Sequence, residues 1–248
     1  MPLAQVTRAG RTLEHMSESG FRPTGPAELR GNAHDGAQGK TPGTGARTLE
    51  DGSLDFASLE PREQLRTLLA TTVVGRPFSE LYGVTLDHRS ASVMGHVLLD
   101  TLEDAGYSVD DFDAVGALTA ASVPLVSAAI QAAASRGENL DGFVMDFVFP
   151  SVKGPSIKGK RVILLDAWLS EKSYVQTSSL VTLRNGNELS LDFSIVEHEG
   201  ASVVAVASLV GGVGQGADEH EITVISPVDG ARHEIPFIQV FHEDELKA

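Results

Sequence analysis

In LEPREQLRTLLATTVV (59–74) the apolar residues Leu59, Leu65, Leu68 and Leu69 fall at helical intervals, and Pro61 and Glu63 suit a first turn, so the spacing predicts a helix. SASVMGHVLLDTLEDAGYS (90–108) sets Val93, Val97, Leu98 and Leu102 on one face; Ser90 is the candidate N-cap and Gly106 the stop. From 112 the pattern becomes a short apolar run (114–118), a turn of small residues and an alanine-rich helix closed by Gly137, a strand-turn-helix unit. Two more apolar runs follow, DGFVMDFVF (141–149) and VILLDAW (162–168), with Pro150 and KGPSIKGKR reading as a loop between them. The second run is continuous, as in strands buried on both faces of a parallel sheet.

Beyond 178 the period shortens to two. SLVTLRNGNELSLDFSIVEHEGASVVAVASLV alternates apolar and polar residues around Asn185-Gly186, a hairpin turn signal, and predicts an inserted hairpin over 178–199. A strand over 202–210 follows, and 222–241 predict two more short strands. Strands and helices alternate in the middle of the chain, so the class is α/β, with a mainly parallel sheet flanked by helices and some antiparallel additions.

The 248 residues, 42% hydrophobic and 21% charged, suffice for one domain with residues to spare. Those lie at the front: 1–55 are rich in Gly, Pro, Ser and Ala with no apolar period, and predict a disordered tail before a domain at 56–248. Lys and Arg number 19 against 34 Asp and Glu, a net charge of -15 that repels polyphosphate, so nucleic acid is not an expected partner. Zero cysteines exclude disulfides and thiolate metal sites. No stretch approaches 18 apolar residues and the first residues carry no signal-type apolar run, so we expect no membrane partner and a cytoplasmic chain.

Four segments, in order and spacing, carry a family resemblance: DAVGALTAASVPLVSAAIQAAASRGENLDGFVM (113–145), IKGKRVILLDAWLSEKSYV (157–175), ASVVAVASLV (201–210) and IPFIQVFHEDEL (235–246). Residues from about 65 to 245 resemble the orotate branch of the type I phosphoribosyltransferases, in the form found in high-GC Gram-positive bacteria. The resemblance implies the phosphoribosyltransferase fold, a homodimer, and transfer of ribose 5-phosphate from phosphoribosyl diphosphate to a base, with Mg²⁺ if the activity is kept.

It also implies where the site lies. In the family, two acidic residues after the strand at 162–165 reach the ribose hydroxyls, and a glycine-containing turn wraps the 5-phosphate with backbone N–H groups. Here the acidic positions are Asp166 and Ala167, and the turn reads Ser170, Glu171, Lys172, Ser173, Tyr174. The glycines that permit close approach are gone, and Glu171 puts a carboxylate where phosphate belongs. In the family's diphosphate turn this chain has Ala120, Ala121, Ser122 and Val123, which leaves Thr119 and Ser122 as the polar side chains. The family's mobile basic loop is replaced by Asp146, Phe147, Val148, Phe149, Pro150 and Ser151, and a cationic clamp of that kind is commonly the largest catalytic contribution. Nearer the N-terminus Val74, Gly75 and Arg76 stand for the family's Ser-Gly-Lys, and Tyr82 and Gly83 for its basic pair. Positive charge is missing wherever the substrate is negative.

The remnant ligand site is therefore Asp166, Ser170, Lys172, Ser173, Thr119 and Ser122, for a nucleotide or phosphorylated small molecule. No residue is assigned as catalytic and none as a metal ligand. Taken alone, Asp166 reads as a solvent-facing carboxylate at a strand tip, Trp168 as a packing residue, and Phe147 and Phe149 as core or interface packing. The histidines of EHE (197–199), DEHE (218–221) and HEDE (242–245) lack metal-ligand spacing, and GGVGQGADEH (211–220) reads as a loop. Three readings follow: a homologue that has lost transfer and binds a ligand or partner; an active orotate phosphoribosyltransferase with a rearranged site; and a structural or assembly protein using the hairpin at 178–199.

Overall fold

The apolar periods resolve into helices and strands that mostly keep their predicted places. The computed structural model describes residues 55–75, 81–146, 149–170, 182–184, 188–190, 194–212, 221–226 and 229–247, so the tail expected over 1–55 lies, but for Asp55, outside the described residues. Helix α1 (Pro61–Val73) starts on its proline and buries Leu65, Leu68, Leu69 and Val73.

The helix expected over 90–108 divides. A turn α2 (Tyr82–Thr85) and a turn α3 (His88–Ala91) precede α4 (Met94–Asp104). Ser90 is not the N-cap. Asp87 caps α3 by accepting from Arg89 N–H at 2.8 Å, while the buried Ser90 Oγ donates to the carbonyls of Val84 and Asp87. The α3–α4 break falls at Val93, whose φ of -123 leaves the helical range just before α4 restarts. The stop is as expected: α4 ends at Asp104, and Gly106 takes φ +89 just beyond it.

Five parallel strands form the sheet's centre in the order β2 (Asp141–Asp146), β1 (Ala114–Ala117), β4 (Arg161–Ser170), β7 (Ser202–Gly212), β9 (Arg232–His242). Helix α5 (Val123–Ser135) carries the chain from β1 to β2. A short edge strand β3 (Ser151–Lys153) pairs antiparallel with β2 inside the stretch expected to be loop. Its three residues are too few to register as a period.

Strand β9 changes partners along its length. Residues 232–236 pair antiparallel with β8 (Glu221–Ile225), and residues from Phe237 onward pair parallel with β7. The change falls at Pro236, which has no N–H to give a ladder. Beyond β8 come β6 (Glu188–Ser190) and β5 (Thr182–Arg184), joined antiparallel as the expected hairpin, with Asn185-Gly186 outside the described residues. The alternation expected to run on through 194–198 gives way to a one-turn helix, α6 (Ser194–His198), which buries Ile195 and Val196.

Burial divides by face. On one side Leu65, Leu69, Leu98, Leu102, Ala129 and Ala133 from the helices pack on Val115, Ala117, Ile163, Leu165, Ala205 and Ala207. On the other, Ile195, Val196, Ile222 and Val224 cover Ala114, Leu164, Val206 and Phe143. Each such aliphatic side chain contributes about 1.5–3 kcal/mol by leaving water. The C-terminal end is tied to α1: Arg62 Nη2 donates to Val240 O at 2.5 Å, and its guanidinium lies 4.6 Å from the centre of the Phe241 ring.

Candidate functional site

A strand order of 2-1-3-4-5 places the topological switch between β1 and β4, and an open parallel sheet binds its ligands in the crevice at the carboxyl ends of such strands. Thr119 leaves β1 there, a 3₁₀ turn (Ala120–Ser122) follows, and α5 begins. Asp166 comes from β4. The strands meet where Leu118 N–H donates to Leu165 O at 3.0 Å, and one residue further on Thr119 Oγ1 donates to Asp166 Oδ1 at 2.9 Å. Ser122 Oγ accepts from Thr119 N–H at 3.1 Å and donates to Thr119 O at 2.8 Å, so it locks the turn.

Three of the six residues expected in the site, Thr119, Ser122 and Asp166, are therefore brought together. Ser170 ends β4, and Lys172 and Ser173 lie outside the described residues.

Asp166 is neither at a strand tip nor facing solvent. It is 4% exposed, and Oδ1 accepts from Ala167 N–H at 2.7 Å as well as from Thr119. Strand β4 runs four residues past it, with Asp166 in register with Ser208, Trp168 with Val210, Leu169 with Gly211 and Ser170 with Gly212. The strand continues because Ala167, Trp168 and Leu169 are all buried, so apolar burial carries pairing through the place where a loop was expected. Trp168 packs in the core at 3% exposure, as expected.

Of the core or interface packing expected for Phe149, the core half does not hold. Phe149 lies in the turn between β2 and β3 and is 74% exposed, so it belongs to no core. Phe147 lies outside the described residues.

Two features at the site escaped sequence reasoning. Ser208, fully buried beside Asp166, donates to Val210 O at 2.9 Å; its signal was a lone hydroxyl inside the apolar run ASVVAVASLV. Leu81, buried and N-terminal to α2, has φ +56, a left-handed conformation that costs a leucine about 1–2 kcal/mol. Nothing in a leucine announces that. The turn α2, led by Tyr82, packs against the turn Ala120–Ser122 and so borders the crevice.

Two cavities lie elsewhere. One of about 550 Å³ opens among Asp110, Asp113, Glu138, Asp141 and Lys160, where β1 and β2 begin, and one of about 620 Å³ lies between Arg62, Tyr107 and β9. Among the described residues no three acidic or histidine side chains group to hold a metal, and no helix is long and apolar enough to cross a membrane.

No family model matches the chain. Orotate phosphoribosyltransferase from Streptomyces coelicolor is 31% identical over 175 residues, covering 68% of this chain and 81% of the relative. The Streptomyces avermitilis protein of the same name is 32% identical over the same shares. Among solved structures, Mycobacterium tuberculosis orotate phosphoribosyltransferase in complex with inorganic phosphate superposes with a TM-score of 0.50 at 20% identity, covering 77% of this chain and 92% of that one, a likeness of fold. Strand order, the switch-point position of Thr119 and Asp166, and identity spread over four fifths of the Streptomyces relatives agree: the chain belongs to the orotate phosphoribosyltransferase family.

Proposed function

We propose that this chain retains the family's fold but has left phosphoribosyl transfer, and serves as a ligand- or partner-binding homologue, as a homodimer. The observation that carries the reading is the state of Asp166. A carboxylate meant to meet ribose hydroxyls stands near solvent beside a second acid. This one is 4% exposed in mid-strand, accepts from Thr119 and Ala167, and has Ala167 as its neighbour. Mg²⁺ takes accessible carboxylate oxygens together with substrate phosphates, and Asp166, buried with Oδ1 accepting from Thr119 and Ala167, does not fit that role.

A second reading, active synthesis of orotidine 5'-phosphate from orotate and phosphoribosyl diphosphate, is favoured by the shared name of the relatives. Calorimetric titration with phosphoribosyl diphosphate and Mg²⁺, followed by an orotate turnover assay, separates the two. The first reading expects no heat and no orotidine 5'-phosphate. Micromolar binding with turnover refutes it and establishes the second. Light scattering of the same sample reads the dimer.

A further inference from the structure

We draw no further inference here: the strongest candidate, the cavity of about 550 Å³ where β1 and β2 begin, is a cluster of carboxylates, Asp110, Asp113, Glu138 and Asp141, beside Lys160, and nothing among the described residues points to a ligand for it, since Lys160 already pairs with Asp141, Arg161 with Asp113, and no three acidic or histidine side chains group to hold a metal.

Discussion

Thr119 and Asp166, 47 positions apart in sequence, are joined across the β1–β4 seam by a hydrogen bond of 2.9 Å from Oγ1 to Oδ1. A buried carboxylate is tolerated where donors converge on it, and the Thr119 hydroxyl and Ala167 N–H are among those that do so here. Thr119→Val removes one of them and should cost about 1–3 kcal/mol, read from the urea midpoint. Asp166→Asn keeps an acceptor oxygen in place and should cost less than Asp166→Ala, which strands both donors. Equal costs for the two substitutions would mean that these hydrogen bonds contribute nothing to the seam.

Acid should weaken the fold through Asp113 and Asp111. Arg161, first by its backbone N–H at 2.8 Å and then by its guanidinium, holds the Asp113 carboxyl below its ordinary 3.8, and Ser108 does the same for Asp111. A depressed carboxyl contributes stability that is complete above its unfolded value and is lost as pH falls through its folded one. The urea midpoint should therefore hold above about pH 5 and decline below pH 4, and Asp113→Asn should flatten that decline.

Helices α4 and α5 touch backbone to backbone at Gly95, where an added Cβ would stand 2.2 Å from Ala128 O. Neither element can yield without moving the core, so Gly95→Ala should cost about 1–3 kcal/mol. Gly83, in α2, has nothing within 4 Å of an added Cβ and no positive φ, so Gly83→Ala should be neutral or slightly stabilising. Thermal melts of the two variants check the contrast.

At the other end of the fold, Arg62 reaches from α1 to both Val240 O and the Phe241 ring. Arg62→Met keeps the stem but loses the donor and the charge, and should cost about 1–2 kcal/mol. Guanidinium denaturation against the parent chain measures it.

Elements with a long period or a long apolar run were legible: α1, α5, β1 and β4 appear where their residues put them. Those fixed by a few competing hydrogen bonds were not. Ser90 satisfies the rules for an N-cap, yet its hydroxyl is turned to Val84 O, a carbonyl six residues back that no local rule points to. The short β3 and α6 carry too little pattern to outvote their surroundings. At the site, the loss of the second acid and of the glycines was plain in the letters. The burial of Asp166 was not, because it depends on Ala167, Trp168 and Leu169 prolonging β4 against a strand 42 residues away in sequence.

Strand β9 has a consequence for how the molecule comes apart. Its first half closes the ladder that leads to the added hairpin, and its second half closes the parallel centre. A partner change within one continuous strand couples the two ladders, so amides of Glu221–Ile225 and of the β7–β9 seam should exchange with solvent in a single cooperative opening. Deleting the hairpin would leave β8 with an open edge while keeping its pairing to β9, so the addition can vary between relatives at little risk to the centre, whereas a break at Pro236 would release both ladders at once.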